Sequence, residues 1–238
     1  MTSSPIGAFI DRLAAVRTSP GCNNFFDHSV PGNALRRQNL AVYLAEMLDR
    51  SPKVLLLGEA PGFRGMRITG VPFTNRTIFS GPPNAFGLFG EEKGYVLPPE
   101  ASGIAAEPTA TVMWEVLAEL EFLPLLWSAC PWHTHVPGRP LSNRTPTTAE
   151  AALGTPFWQA LVDLFSIETV VAVGNVAHRS LQRNGVDAPK IRHPAPRRSG
   201  PFQTGTRGAH GSEPRLRRVG SCSAQQVELV RGVEVGAR

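Results

Sequence analysis

Three places along the 238-residue chain put a reactive side chain at the expected end of a short strand, two of them directly after an apolar run. The first is Glu59, in Gly58-Glu59-Ala60-Pro61-Gly62, directly after Lys53-Val54-Leu55-Leu56-Leu57. The second is Ser128, in Trp127-Ser128-Ala129, closing the run that begins at Leu123. The third is His193, in His193-Pro194-Ala195-Pro196. A carboxylate can orient a water or support a developing cation, and an imidazole can donate to an oxygen that gathers negative charge. A hydroxyl is a rotor that donates or accepts. Nearby in sequence lie a planar ring for stacking, Phe73 in Gly70-Val71-Pro72-Phe73-Thr74, and the cations Arg64, Arg67, Arg144, Arg197 and Arg198.

The elements around these residues say how they are positioned. Asn33 can cap a helix whose Leu40, Leu44, Met47 and Leu48 repeat at helical spacing. Residues 53–57 read as a strand buried on both faces and ended by Gly58. The stretch 62–99 is rich in Gly, Pro, Asn and Phe without periodicity, and reads as a long functional loop. Pro108 opens a helix with Met113, Leu117 and Leu120 on one face. Leu123–Ala129 reads as a second buried strand, and Thr147 with Glu150 has capping-box spacing before a helix that turns Phe157, Leu161, Leu164 and Phe165 inward. Thr169–Val173 is a third strand, turned by Gly174-Asn175 into a helix through Leu181, and a short fourth strand leads to His193. Strands alternating with helices imply an α/β fold, a three-layer α/β/α sandwich with a mainly parallel four-stranded sheet and its sites at the carboxyl ends of the strands.

Composition narrows the partner. The net charge is +5 and the pI about 9.6, an excess that suits a phosphate-bearing ligand. No basic-then-apolar leader and no apolar run near 20 residues are present, so a soluble, cytoplasmic chain without a membrane partner is expected. Cys22, Cys130 and Cys222 lie far apart without C-x-x-C spacing and are expected as free thiols. His133 and His135 lack a third ligand nearby, which favours loop or ligand-facing roles over a metal site.

Gly58-Glu59-Ala60-Pro61-Gly62 resembles the first motif of the uracil-DNA glycosylase superfamily, and His193-Pro194-Ala195-Pro196 resembles its second, the His-Pro-x-Pro loop. Gly70 to Thr74 resembles the segment that supplies the aromatic platform, and Val173-Gly174-Asn175 the strand-to-helix turn before the second motif. The likeness spans roughly residues 33–197. It implies an enzyme that flips a base out of DNA and hydrolyses its N-glycosidic bond, leaving an abasic site. Glu59 and His193 would be catalytic: His193 donates to the pyrimidine O2, and Glu59 orients water or supports the cationic sugar. Gly58, Ala60, Pro61, Gly62, Phe73 and Ser128 would hold the base, with Phe73 stacking on it. Arg64, Arg67, Arg144, Pro194, Pro196, Arg197 and Arg198 would contact DNA. Structural alternatives stay open: Glu59 as the cap of a turn, Phe73 as core, His193 as a strand-end histidine, Arg197 and Arg198 as a solvated pair.

Two departures from the superfamily matter. The branch with the most similar first motif carries an iron-sulfur cluster, whose cysteines this chain lacks, so no cluster and no other cofactor are expected. Uracil-specific members have Asn where Ser128 stands; its amide reads both N3–H and O4, whereas a hydroxyl loses roughly 1–3 kcal/mol of that discrimination. Phe63-Arg64-Gly65-Met66-Arg67 also replaces a usually acidic stretch. The expected substrate is therefore a modified pyrimidine, with bulky cytosine derivatives of viral DNA and a role in antiviral defence as the leading case. Repair of uracil or deaminated bases is the alternative, and a non-catalytic DNA-binding module the alternative of another class. The expected division is an N-terminal helix and loop (1–32), the catalytic domain (33–198) and a basic, flexible tail (199–238), in a monomer.

Overall fold

Residues 4–81, 84–99 and 107–192 are described by a computed structural model. His193, Pro194, Pro196, Arg197, Arg198, Cys222 and the expected tail lie outside the described residues.

The centre of the sheet is built from runs too apolar to face water on either side. β2 (Val54–Gly58) is buried at all five positions, and β3 (Leu125–Ser128) at all four. With β5 (Thr169–Val173) and β6 (Lys190–Ile191) they form a parallel sheet in the order β3-β2-β5-β6. After β2 the chain crosses to one side to make β3, then returns past β2 to make β5. Such a reversal opens a crevice at the carboxyl ends of the central strands. A separate two-stranded ribbon pairs β1 (Cys22–Asn23) with β4 (His133–Thr134).

Helices flank the sheet in the expected α/β/α arrangement. α1 (Pro5–Ala14) packs on α2 (Ala34–Arg50) and α6 (Thr148–Leu164); α7 (Asn175–Arg183) packs on α6, β5 and β2. The amino-terminal helix shares the common core: Phe9 meets Trp127 and Phe157 edge to face, with ring centroids 5.5 and 5.8 Å apart. In α2, Leu40, Leu44 and Met47 are buried as the spacing requires, but Leu48 is 39% exposed because the apolar stripe is narrower than expected. Asn33 occupies the N-cap position without capping. A short 3₁₀ turn, Pro31–Asn33, precedes the helix, and the Asn33 side chain instead donates to the Asp27 carbonyl (3.2 Å) and accepts from Arg36 (3.3 Å).

Edge strand β3 gets its outer support from α2. The fully buried Tyr43 hydroxyl accepts a hydrogen bond from the Leu126 amide at 3.0 Å, satisfying a donor that no neighbouring strand reaches. Burial raises the Tyr43 pKa well above its ordinary value. At the other end of the fold, the capping box at α6 forms as its spacing predicts: Thr147 accepts from the Glu150 amide (3.2 Å) and Glu150 accepts from the Thr147 amide (2.8 Å).

The stretch expected as one long loop contains two short helices, α3 (Met66–Thr69) and α4 (Arg76–Ser80), and a 3₁₀ turn, Glu91–Lys93. Elements of four or five residues leave no readable period, so their order comes from tertiary contacts. Asn39 illustrates this: buried in α2, it donates to the carbonyls of Thr69 and Val96, both at 2.7 Å, and holds two distant parts of the stretch together.

Candidate active site

Strand register assembles the site. Gly58 and Ser128 face each other as the last pair of the β2–β3 ladder. The pairing continues past the strands, because Ala129 donates to the Gly58 carbonyl (2.8 Å) and Cys130 to the Glu59 carbonyl (3.0 Å). The backbone of Glu59 is thereby fixed to the end of β3.

Its side chain is fixed from the opposite direction. Glu59 Oε1 accepts from the Val176 amide at 3.0 Å, in the first turn of α7. This approach needs glycine at 174, where φ is +93° and a Cβ would sit 2.6 Å from Glu59 Oε1. The carboxylate therefore caps α7, one of the alternatives the sequence left open. The same bond sets its orientation at the rim of the crevice, so the cap and a role at the recess are compatible.

Glu59, Ala60, Pro61, Gly62, Phe73 and Ser128 line one recess, of about 390 Å³ when space open to solvent is included. Phe73 lies with its ring against Gly58: a Cβ there would be 2.6 Å from Phe73 Cζ and 2.9 Å from Cε2. The Phe73 backbone is held at φ +51°, a left-handed conformation uncommon outside glycine, and its carbonyl accepts from Trp114 Nε1 at 2.8 Å. Ser128 is buried, and among the described residues its hydroxyl has no hydrogen-bond partner.

Four further residues line the recess: Met66, Glu107, Thr109 and Ala110. Pro108 marks the start of a helix, α5 (Pro108–Glu119), whereas the residue before it carries no signal in the sequence. Glu107 occupies the N-cap of α5, yet its carboxylate does not bond that helix. It packs against Gly62 and Gly65, where any Cβ would overlap it. Burial raises its pKa to about 6, opposed in part by the positive charge of Arg64.

The cationic residues divide. Arg64 is exposed, its guanidinium 4.9 Å from the Phe63 ring centroid; Arg67 is half-buried and donates to the Phe63 carbonyl at 3.1 Å. Arg144 is committed elsewhere. Its guanidinium bonds both oxygens of Glu150 (2.7 and 2.6 Å) and the carbonyls of Gly21, His135 and Thr145. With its donors spent on protein, Arg144 ties β1 and the loop after β4 to α6 and has little to offer a phosphate.

His133 is also a tie. Burial lowers its pKa to about 4, and the neutral ring places Nε2 2.9 Å from the Ser142 carbonyl. Asn143, 3.3 Å from the same nitrogen, accepts from the Phe63 amide (2.9 Å), linking this loop to the one after β2. His135 stacks on His133 at 5.5 Å. Among the described residues, no group of three or more His, Cys, Asp or Glu could hold a metal ion.

The sequence model of the Uracil DNA glycosylase superfamily matches residues 46–213, well over half the chain and the whole of the recess. The chain belongs to the uracil-DNA glycosylase superfamily. The crystal structure of wild-type SMUG2 of Pedobacter heparinus superposes with a TM-score of 0.57 over 81% of this chain and 88% of that one. At 14% identity the likeness is one of fold. No curated protein sequence matches. No helix among the described residues is long and apolar enough to cross a membrane.

Proposed function

We propose that the protein is a DNA glycosylase that flips a modified pyrimidine out of DNA and hydrolyses its N-glycosidic bond, with bulky modified cytosine of viral DNA as the leading substrate and antiviral defence as the role. In this reading the bond from C1′ to the base breaks, water adds to C1′, and the base departs with a proton. Phe73 stacks on the extruded ring, a contact worth roughly 1–3 kcal/mol and tolerant of base identity. Glu59, held in place by the α7 amide, orients the water or supports the cationic sugar. His193, beyond the described residues, donates to the pyrimidine O2. Arg64 and Arg67 face the phosphates at the recess mouth, joined by Pro194, Pro196, Arg197 and Arg198 of the second motif. Chemistry occurs without a metal or an iron-sulfur cluster.

The observation that carries the substrate preference is Ser128. It is buried at the strand end, lines the recess, and presents a hydroxyl with no partner among the described residues. A single rotor there removes the paired donor and acceptor that would select uracil and leaves room near C4 and C5 of the ring. The test offers the purified protein uracil-containing DNA beside viral DNA with modified cytosines, and detects freed bases and abasic sites by mass spectrometry. Release of the modified base in preference to uracil supports the reading. Release of uracil alone replaces it with ordinary repair. DNA binding without release of either, unchanged in His193→Ala, replaces it with a binding module.

A further inference from the structure

One ionisable group of the recess has no part in the chemistry above. Glu107 reaches the recess from the N-cap of α5 and lies against Gly62 and Gly65, two positions where only glycine leaves it room. Among the described residues its carboxylate accepts no hydrogen bond, although the backbone carbonyl of the same residue is engaged by Asn75 Nδ2 at 2.8 Å. A Ser, Thr, Asp or Asn at this N-cap would turn its side chain back onto the helix; the Glu107 carboxylate makes no such bond. Here the backbone is anchored and the carboxylate is directed away from the helix, into a recess shared with Phe73 and Ser128.

We propose that Glu107 is a specificity-determining residue that reads the exocyclic 4-amino group of the flipped base, selecting 4-aminopyrimidines over 4-oxopyrimidines. The inference rests on the glycosylase reading for its substrate but not for its test. An ionised carboxylate only accepts hydrogen bonds, so it matches the N4–H₂ donor of a cytosine-type ring and opposes the O4 acceptor of a uracil-type ring. Ser128 cannot make this distinction, because its hydroxyl rotates to suit either. Among the described residues, the charged groups near Glu107 are Arg64, from the loop after β2, and Glu59, just past the end of β2 on the same recess. With a pKa of about 6 the carboxyl is ionised at pH 7.5. Near pH 5 it is protonated and can also donate to O4, so selectivity is highest above neutrality and declines as pH falls through 6.

The experiment measures equilibrium binding of the full chain to duplexes that differ at one nucleotide. That nucleotide is 2′-fluoro-substituted to block hydrolysis and carries 5-hydroxymethylcytosine or 5-hydroxymethyluracil. At pH 7.5 the unmodified protein is expected to prefer the cytosine member by on the order of tenfold. Glu107→Gln, nearly isosteric and able to donate as well as accept, should bring the ratio close to one by improving binding of the uracil member. Glu107→Leu should bring it close to one by weakening the cytosine member. Equal binding of both duplexes by the unmodified protein, or a preference that survives in both variants, overturns the proposal. Base release from the corresponding 2′-deoxy duplexes is measured in parallel. Selective binding without release leaves Glu107 as the reader and removes the glycosylase reading, whereas release without selectivity does the opposite.

Discussion

Glu150→Gln tests how much of the fold hangs on one buried ion pair. In the native structure the Glu150 side chain is 5% exposed and accepts from Arg144 twice, from the Ser19 hydroxyl (2.9 Å) and from the Thr147 amide. Arg144, with the other hydrogen bonds, holds its pKa down at about 2 against an ordinary 4.5. A carboxyl stabilised to that degree contributes on the order of 3 kcal/mol to folding at neutral pH. For a chain of this size that corresponds to a fall in Tm of roughly 6–12 °C when the charge is removed. The folded-state pKa is depressed, so the contribution is complete above pH 4.5 and is lost as pH falls toward 2. Thermal melts of parent and Glu150→Gln should therefore differ at pH 7 and converge through that window. Melting of the variant within about 2 °C of the parent at pH 7 would refute the assignment, as would a gap that persists at low pH.

Three other substitutions probe the site and its support. Gly58→Ala puts a methyl 2.6 Å from Phe73 Cζ, and the ring, tethered by its strained backbone and by Trp114, must turn aside. Base release should fall about 10- to 100-fold with a change in Tm of only a few degrees, and parental release would mean the ring is no platform for the base. Tyr43→Phe leaves the Leu126 amide buried without an acceptor, a cost of about 1–3 kcal/mol to be seen as a lower urea midpoint at unchanged m; an unmoved midpoint would show that the amide finds another partner. Ser128→Asn places an amide at the strand end and should shift the ratio of uracil to modified-base release toward uracil by roughly tenfold, while an unaltered ratio would show that position 128 does not meet the base edge.

The three longer strands of the sheet were legible in the chain alone. Residues 53–57, 123–129 and 169–173 read as apolar runs bounded by Gly, Pro or a charge, which favours burial; the observed strands, 54–58, 125–128 and 169–173, follow them closely, with Thr169 and Val170 only half-buried. The α6 capping box was equally legible, because its partners are three residues apart. Glu59 and Ser128 could be named as one candidate site, since strand ends in a parallel sheet converge and the first motif marks one of them; Phe73 joined them only through the resemblance of residues 70–74 to the superfamily's platform segment.

The remaining assignments depend on partners distant in sequence. Whether Glu59 caps a helix was settled by Val176, more than a hundred residues away. Arg144 has the sequence profile of a phosphate contact, and Gly21, His135 and Glu150 take up its donors. Asn33 stands where a cap belongs, yet a preceding 3₁₀ turn redirects its amide. Glu107 left no trace in periodicity or spacing: a glutamate before a proline is an ordinary helix start. Its singularity is the absence of side chains at Gly62 and Gly65 across the recess, a vacancy that exists only once the two segments have been folded against each other.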